Sequence, residues 1–316
     1  MTDQSPKVLF IAGSGRSGTT ILHNVLGQID GFFAAGELRE LWLRGAVKDR
    51  LCGCQASFRS CPTWGAIIDH AFGTLDEREA RETAGLVEGF RIHHLPRTWV
   101  PPLRRHDLAR RSALLARLRR LYTAIGEVTG CRVIVDSSKN PSYGYLLAHA
   151  GVGELDVLHV VRDARAAAYS WGQRKAFEPG HMMRRRSPTV AAIEWDAHNL
   201  ATELFLRPRA TRHLRLRYED AVAAPRRAVR DVLAWLDEDS ESLPFTSERD
   251  VRLDRVVHAV FGNAVRFQSG DVRLRPDERW RTDMDRRDAL AVAALTAPLQ
   301  ARYGYGRRTR PGRAAA

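Results

Sequence analysis

The spacing of apolar residues changes twice near the start of this chain. Residues 8–12, VLFIA, form an uninterrupted apolar run with the length of one buried strand. Residues 13–20, GSGRSGTT, are glycine, hydroxyl or basic residues, and from Ile21 to Ile29 apolar residues recur at helical spacing. The pattern predicts a strand, a glycine-rich turn and a helix. Such a unit points backbone N–H groups and the positive end of the helix dipole at an anion, unless the turn is only a connection.

Several later stretches also read as strands, and helical patterns separate them. Strands that alternate with helices are typical of an α/β fold built on a parallel sheet. The sequence therefore predicts one α/β domain, with a P-loop-like parallel sheet of four or five strands flanked by helices. The later predicted strands are residues 32–36, 133–135, 155–162 and 213–217.

Residues 40–128 carry no strand signal. Within them, residues 108–128 predict one long amphipathic helix, with leucines on one side and arginines on the other. We expect a helical insertion that caps the edge of the sheet and either shapes an acceptor site or serves as scaffold alone. The domain is predicted to cover residues 1–306, and the basic stretch 307–316 is predicted to be a disordered tail.

The glycine-rich turn has most of the P-loop pattern G-x-x-x-x-G-K-[ST]. Gly13, Gly18 and Thr20 match, but Thr19 stands where the lysine that serves the β- and γ-phosphates belongs. Without that lysine, cleavage of ATP or GTP is disfavoured, whereas a shorter anion still suits the turn. Arg16 offers a fork-shaped guanidinium to such an oxyanion. The predicted anion-binding residues of the turn are Gly15, Arg16, Ser17, Gly18, Thr19 and Thr20.

Glu37 and Lys139 each follow a predicted strand. The carboxyl ends of the strands are where open parallel sheets place their chemistry. Glu37 is a candidate general base, and the alternative is a carboxylate that offsets the dipole of the next helix. Lys139 is a candidate for stabilising a leaving phosphate or the transferring group, and the alternative is an exposed loop lysine.

Arg162 ends a further predicted strand, and a helix is predicted to begin near Asp163. Ser170 lies eight residues after Arg162. That separation is about two helical turns, so the two side chains can meet around one phosphate. The alternative for Arg162 is a surface ion pair with Asp163 or Glu154.

The chain resembles a known family at both of these anion-binding stretches. GSGRSGTT after a first strand is similar to the 5′-phosphosulfate loop of the sulfotransferases that use 3′-phosphoadenosine 5′-phosphosulfate (PAPS), especially their bacterial, carbohydrate and protein-tyrosine branches. Residues 161–170 resemble the family's 3′-phosphate motif, with Ala164 in place of its proline. The resemblance implies that Arg162 and Ser170 bind the 3′-phosphate. It also implies that Arg266, in a Gly-Asn…Arg loop, is a further ligand, unless it is only a surface residue.

The resemblance further implies a PAPS-dependent sulfotransferase in which Glu37 deprotonates the acceptor hydroxyl while Arg16 and Lys139 stabilise the transferring group. Tyrosine-directed members often have a second glutamate after the first, and here that position is Leu38. A tyrosine acceptor is therefore less favoured. We expect the acceptor to be a hydroxyl of a small molecule, glycan or glycolipid, and we expect no metal in the reaction.

Two other functions remain open. A P-loop nucleotide kinase or phosphotransferase would need magnesium and a carboxylate at the end of a strand, for which Asp136 and Asp163 are available. A non-catalytic binder of anionic nucleotides or nucleic acid would bind in a salt-dependent manner without turnover.

The chain has 50 Lys and Arg against 37 Asp and Glu, a net charge of +13, and most of the excess is arginine. Such a charge attracts multiply charged anions. The basic residues are spread along the chain and no aromatic-basic module is evident, so nucleic acid is not an expected partner. No apolar run approaches the ~18 residues of a membrane span. Residues 1–7 carry no signal-peptide core, so we expect a cytoplasmic protein without stable membrane insertion.

Three of the four cysteines, Cys52, Cys54 and Cys61, lie in one segment. Free thiols, a disulfide and a metal site are all open for them. Together with Cys131 they would supply four thiolate ligands, but the spacing is not that of a standard zinc knuckle.

Three consecutive arginines, Arg184, Arg185 and Arg186, predict an exposed loop. The loop gates the acceptor, binds an acidic substrate or is only solvated. Neither the acceptor nor the oligomeric state follows from the sequence.

Overall fold

A parallel sheet forms the centre of the protein. The computed structural model describes residues 6–238 and 242–305, and the predicted tail, residues 307–316, lies outside them. The strands are β1 Lys7–Ala12, β2 Phe32–Gly36, β3 Val133–Lys139, β4 Leu155–Val161, β5 Ala176–Glu178, β6 His181–Met182, β7 Arg212–Arg217, β8 Asp250–Leu253 and β9 Gly270–Arg273. Five parallel strands form the central sheet in the order β2-β3-β1-β4-β7. This sheet confirms the predicted fold class.

Helices fill most of the connections between these strands. The α-helices are α1 Thr19–Leu26, α2 Pro62–Phe72, α3 Glu77–Glu88, α4 Pro101–Ala109, α5 Ser112–Thr129, α6 Pro141–Ala150, α7 Ala164–Gly172, α8 Pro188–Ala201, α9 Tyr218–Ala223, α10 Pro225–Trp235, α11 Trp280–Asp283 and α12 Arg286–Arg302. Short 3-10 or π-helical segments cover Leu38–Glu40, Leu41–Val47, Ile92–Trp99, Thr202–Leu206, Arg207–Arg209 and Ala264–Phe267. Among the described residues, no helix combines the length and the apolar character needed to cross a bilayer.

Both faces of the sheet are covered, which explains why its strands are continuous apolar runs. Side chains alternate along β1, so that Val8 and Phe10 join one buried cluster and Leu9 and Ile11 join another. The first cluster includes residues of α2, α5 and α6, and the second includes residues of α1 and α10.

The direction in which strands are added reverses beside β1. The chain runs from β1 to β2 and back to β3, which lies next to β1, and it then crosses to β4 on the other side of β1. Ligands of open α/β sheets bind at the carboxyl ends of the strands at such a switch point. The turn that follows β1 and Arg162, which follows β4, therefore flank the predicted binding position.

The segment between β2 and β3 is helical, as expected, but its long helix is divided. The structure has α4 and α5 where the sequence predicts one helix over 108–128. The break occurs because Arg111 leaves the helical conformation, with φ −111° and ψ 12°. Leu114, Leu118 and Leu121 of α5 are fully buried in the cluster that covers the sheet, so this helix belongs to the packed core.

Candidate active site

The turn after β1 packs closely against Val160 and Tyr218, and these contacts require glycine at two of its positions. Gly13 and Gly18 have positive φ angles of 133° and 76°. A Cβ atom at Gly13 would lie 2.2 Å from the carbonyl oxygen of Val160, and one at Gly18 would lie 2.4 Å from the ring of Tyr218. Among the described residues, no side chain caps α1, which begins directly after Gly18. The first N–H groups of the helix are thus available to an anion.

Arg162 holds this turn from the side of β4. Its Nη1 donates to the carbonyl oxygen of Arg16 at 3.0 Å, and its Nη2 donates to the carbonyl oxygen of Asp277 at 3.0 Å. The guanidinium lies 4.4 Å from the ring centroid of Tyr218. Its buried Nε has no hydrogen-bond partner within the part of the chain that the structure describes. Arg162 therefore fixes the turn and still has a donor to offer.

The alternative ion pairs of Arg162 do not form among the described residues. Asp163 instead caps α7 and pairs with Arg165, whose Nη2 lies 2.6 Å from the carboxylate. The helix begins where the sequence predicts it.

Ser170 lies near the end of α7 and accepts a hydrogen bond from Lys175 Nζ at 3.0 Å. Burial, and then the positive charges of Arg16 and Arg162, lower the pKa of Lys175 to about 8. Burial also lowers the pKa of Arg16 to about 10, and its guanidinium lies over the ring of Trp171 at 4.9 Å. The sequence interpretation missed Lys175, for which the only signal is a basic residue shortly after the motif serine.

Glu37 and Lys139 meet at the opposite wall. Lys139 Nζ lies 2.5 Å from Glu37 Oε1 and also donates to the carbonyl oxygen of Ser137 at 2.9 Å. Lys139 has a positive φ of 65°, and the register of β3 with β1 shifts between Asp136 and Lys139. This irregular end of β3 brings the lysine side chain to the end of β2.

Asp136 bonds to the residues next to Glu37 and Lys139, namely Leu38 and Ser138. Its carboxylate is fully buried and accepts hydrogen bonds from the hydroxyls of Tyr122 and Ser138 and from the backbone N–H groups of Ser138 and Leu38. Burial raises the pKa of Asp136 to about 6. Because both carboxylate oxygens are occupied, Asp136 acts as a positioning residue rather than as a magnesium ligand.

The turn after β1, the residues that follow β4 and the pair of Glu37 and Lys139 line one cavity of about 690 Å³. The predicted site residues that line the cavity are Gly15, Arg16, Gly18, Thr19, Thr20, Glu37, Lys139, Arg162 and Ser170. Its other basic side chains are Arg39, Arg44, Lys175, Arg184 and Arg186. Its acidic side chains are Glu37, Glu40, Glu194 and Asp277. The cavity thus combines a phosphate-type turn, a surplus of cations and a carboxylate within reach of a substrate.

A scan against protein-family models matches residues 6–242 to the model described as the sulfotransferase family. The chain belongs to the sulfotransferase family. A search among curated protein sequences found no match.

A search among solved structures returned sulfotransferases, one of which reaches a TM-score of 0.50. The sulfotransferase domain from the Synechococcus PCC 7002 olefin synthase aligns with a TM-score of 0.50 and 18% identity, covering 94% of this chain and 97% of that one. The sulfotransferase domain from the curacin biosynthetic pathway aligns with a TM-score of 0.49 and 16% identity, covering 93% and 99%. Sulfotransferase STF9 from Mycobacterium avium aligns with a TM-score of 0.45 and 14% identity, covering 98% and 79%. At such identities the likeness concerns the fold alone.

Two of the predicted site residues do not line the cavity of this sulfotransferase. Ser17 is buried beneath the turn, where its Oγ lies 3.2 Å from Ser14 Oγ. Arg266 is 1% exposed and donates to the carbonyl oxygens of Phe177, Gly262 and Leu51.

The role of Arg266 as a 3′-phosphate ligand stays a prediction, although its terminal nitrogens are engaged within the protein. Its Nη2 lies 3.7 Å from Glu178, and burial lowers its pKa to about 10. Its two terminal nitrogens are engaged by backbone carbonyls and tie three segments of the chain together, whereas its buried Nε has no hydrogen-bond partner among the described residues. The surface position named as the alternative is wrong, because the side chain is buried.

Proposed function

We propose that this sulfotransferase uses PAPS as donor and transfers the sulfuryl group to a hydroxyl of a small molecule, glycan or glycolipid. The observation that carries the proposal is that the turn after β1, Arg162 with Ser170, and Glu37 with Lys139 all line one cavity. The first two suit two separate phosphate groups of one donor, and the third suits the transfer between donor and acceptor.

The turn and the residues after β4 are proposed to bind the two ends of the donor. Backbone N–H groups of Ser17 to Thr20 and the guanidinium of Arg16 would hold the 5′-phosphosulfate. The Nε of Arg162, Ser170 Oγ and Lys175 Nζ would hold the 3′-phosphate. The positive field of these buried cations favours a donor of several negative charges without a metal ion.

When bound, the donor supplies an activated sulfuryl group, whose S–O bond to the 5′-phosphate breaks as the acceptor oxygen bonds to sulfur. Glu37 takes the proton of the acceptor hydroxyl, because no described residue donates to its Oε2 while Oε1 accepts from Lys139. Arg16, Lys139 and the N–H groups of the turn stabilise the negative charge that develops on the sulfuryl group and the departing phosphate.

The acceptor is proposed to contact the part of the cavity wall that is not assigned to the donor, which has aromatic, sulfur-containing and basic side chains. These are Arg39, Arg44, Phe261, Met182, Met183, Arg184 and Arg186. Arg186 pairs with Glu194 and lies over Trp171 at 4.7 Å. Arg184 and Arg186 of the arginine loop thus belong to the cavity wall, and their position supports the proposal that they help to select the acceptor.

The kinase alternative receives no support from the site. Both carboxylates that the sequence offered for magnesium are occupied, Asp136 by four donors and Asp163 by Arg165. The test is an assay with sulfur-labelled PAPS and a panel of hydroxyl acceptors in buffer without magnesium and without chelator, followed by chromatography of the labelled product. We expect transfer without magnesium. Phosphoryl transfer from ATP that requires magnesium, with no sulfuryl transfer, would overturn the proposal.

A further inference from the structure

A cluster of sulfur and nitrogen ligands lies apart from the residues that line the active-site cavity. It consists of Cys52, Cys54, Cys61 and His258, whose ligand atoms all lie within 4.8 Å of one another. All four cysteines of the chain are free in the structure. Cys131, which the sequence offered as the fourth ligand, is not part of the cluster, and His258 takes that place from a segment nearly two hundred residues away.

Three separations within the cluster are close to those of a tetrahedral metal site. Cys54 Sγ and Cys61 Sγ are 3.7 Å apart, and His258 Nδ1 lies 3.3 Å from Cys61 Sγ and 3.8 Å from Cys52 Sγ. Zinc–ligand bonds in a tetrahedral centre place two sulfurs about 3.8 Å apart and a sulfur and a nitrogen about 3.6 Å apart. All the ligand atoms lie within 4.8 Å of one another, so small adjustments of the side chains would place the four of them at bonding distance from one ion.

The surroundings hold the ligands in this arrangement. The second ring nitrogen of His258, Nε2, lies 3.2 Å from Thr63 Oγ1, and donation to that hydroxyl leaves the Nδ1 lone pair directed at the thiols. Trp64 Nε1 donates to the carbonyl oxygen of His258 at 2.8 Å. A Cβ atom at Gly53, between two of the cysteines, would lie 2.3 Å from the carbonyl oxygen of Val257, so the two segments approach as closely as their backbones allow.

We propose that Cys52, Cys54, Cys61 and His258 bind one zinc ion as a closed structural site. Three thiolates and one imidazole select zinc among abundant divalent cations, and four protein ligands leave no position for substrate. Binding deprotonates the thiols, and the released protons pass to solvent. The inference does not depend on the donor or the acceptor of the reaction.

The site fastens a wall of the active-site cavity. Gly53 N donates to the carbonyl oxygen of Ala259 at 2.9 Å, and Val260 N donates to the carbonyl oxygen of Ala35 at 3.0 Å. Ala35 lies on β2, two residues before Glu37, and Phe261 lines the cavity. Zinc would thus lock the cysteine segment and the His258 segment against the strand that presents Glu37.

The test measures metal content in the full chain, purified under reducing conditions without added metal. Elemental analysis is expected to find about one zinc per chain in the wild type and in Cys131→Ser, which removes the cysteine outside the cluster. Cys61→Ser and His258→Ala should lose most of the metal. His258→Cys should retain the zinc, because a fourth thiolate replaces the imidazole as a ligand. If His258 only packed against the thiols, a cysteine at this position would not restore zinc binding.

A second measurement uses the wild type alone, so it does not depend on whether the variants fold. Cobalt(II) added to the reduced, metal-free wild type should produce the thiolate-to-cobalt absorption and the visible bands of a tetrahedral centre, and zinc should abolish them. Absence of both bound zinc and these cobalt bands would overturn the proposal. So would a disulfide between Cys54 and Cys61 in the chain isolated with its thiols blocked at lysis, or equal zinc in Cys61→Ser and Cys131→Ser.

Discussion

Lys139 Nζ lies 2.5 Å from Glu37 Oε1, and the two residues come from the ends of neighbouring strands, β3 and β2. The pair stands at the wall of the cavity that faces the turn after β1. A base and a cation held together in this way can serve both halves of a group transfer, since one accepts a proton and the other stabilises negative charge.

Replacing Glu37 by glutamine should separate catalysis from donor binding. The amide keeps the shape of the side chain but cannot take the acceptor proton, so kcat for sulfuryl transfer should fall by about 10²–10⁴-fold. The affinity for 3′-phosphoadenosine 5′-phosphate (PAP), the product of the donor, should stay within a factor of a few.

A matched control for this variant exists at the other end of the sheet. Lys7 and Glu238 form a second lysine–glutamate pair, with Nζ 3.1 Å from Oε1. Glu238→Gln should leave kcat unchanged. Wild-type turnover in Glu37→Gln would remove Glu37 from the role of base.

Lys139→Met should lower kcat by about 10²–10³-fold, because the variant removes a preorganised cation from the place where charge develops. The matched control is Lys7→Met. Rapid-quench measurement of a single turnover reports the chemical step directly. If the variant weakened substrate binding and left the single-turnover rate intact, Lys139 would be a binding residue only.

Lys175 should make the binding of PAP dependent on pH. Its pKa in the free protein is lowered to about 8, and a bound phosphate favours the charged ammonium, so binding takes up a proton above that pH. Affinity should be constant below about pH 7 and fall by up to about tenfold per pH unit above pH 8. Lys175→Arg remains charged and should bind PAP with little change up to about pH 9. An equally steep decline in this variant would exclude Lys175 as the titrating group.

Asp136 should make folding stability dependent on pH. Its pKa in the folded protein is raised to about 6, from 3.8, so the native state binds the proton more tightly than the unfolded chain. The contribution is fully present below about pH 4 and is lost as the pH rises through about 6, by roughly 3 kcal/mol.

Asp136→Asn isolates this contribution, because the amide does not titrate. Urea unfolding across this pH range should show the difference in free energy of unfolding, wild type minus variant, declining as the pH rises. A constant difference would mean that the buried carboxylate does not titrate in this range.

Much of the site was predictable because its residues follow strands directly in the sequence. Glu37, Lys139 and Arg162 each come at the carboxyl end of a predicted strand, and the topology of a parallel sheet brings such positions to one edge. The turn was predictable for a similar reason, since its glycines and the following helix are contiguous.

What sequence reasoning missed depends on packing between distant segments. The burial of Asp136 under Tyr122 requires α5 to lie on β3, and the approach of His258 to the cysteines requires a loop far along the chain. The motif around Arg266 gave no sign that its side chain would be buried with both terminal nitrogens bonded to backbone carbonyls. The break between α4 and α5 likewise arises from the conformation of one residue, Arg111, within a pattern that is otherwise continuous.

The central claim is that the cavity is a donor site built by the turn after β1 and Arg162. Calorimetric titration with PAP, without magnesium, tests it on the wild type, on Arg162→Ala and on Arg209→Ala. Arg209 is a matched control, because it also lies over a tyrosine ring, at 4.5 Å from Tyr145, and donates to a backbone carbonyl, but it does not line the cavity. We predict micromolar binding in the wild type and Arg209→Ala, and its loss in Arg162→Ala. Wild-type protein that binds ATP with magnesium and does not bind PAP would contradict the account.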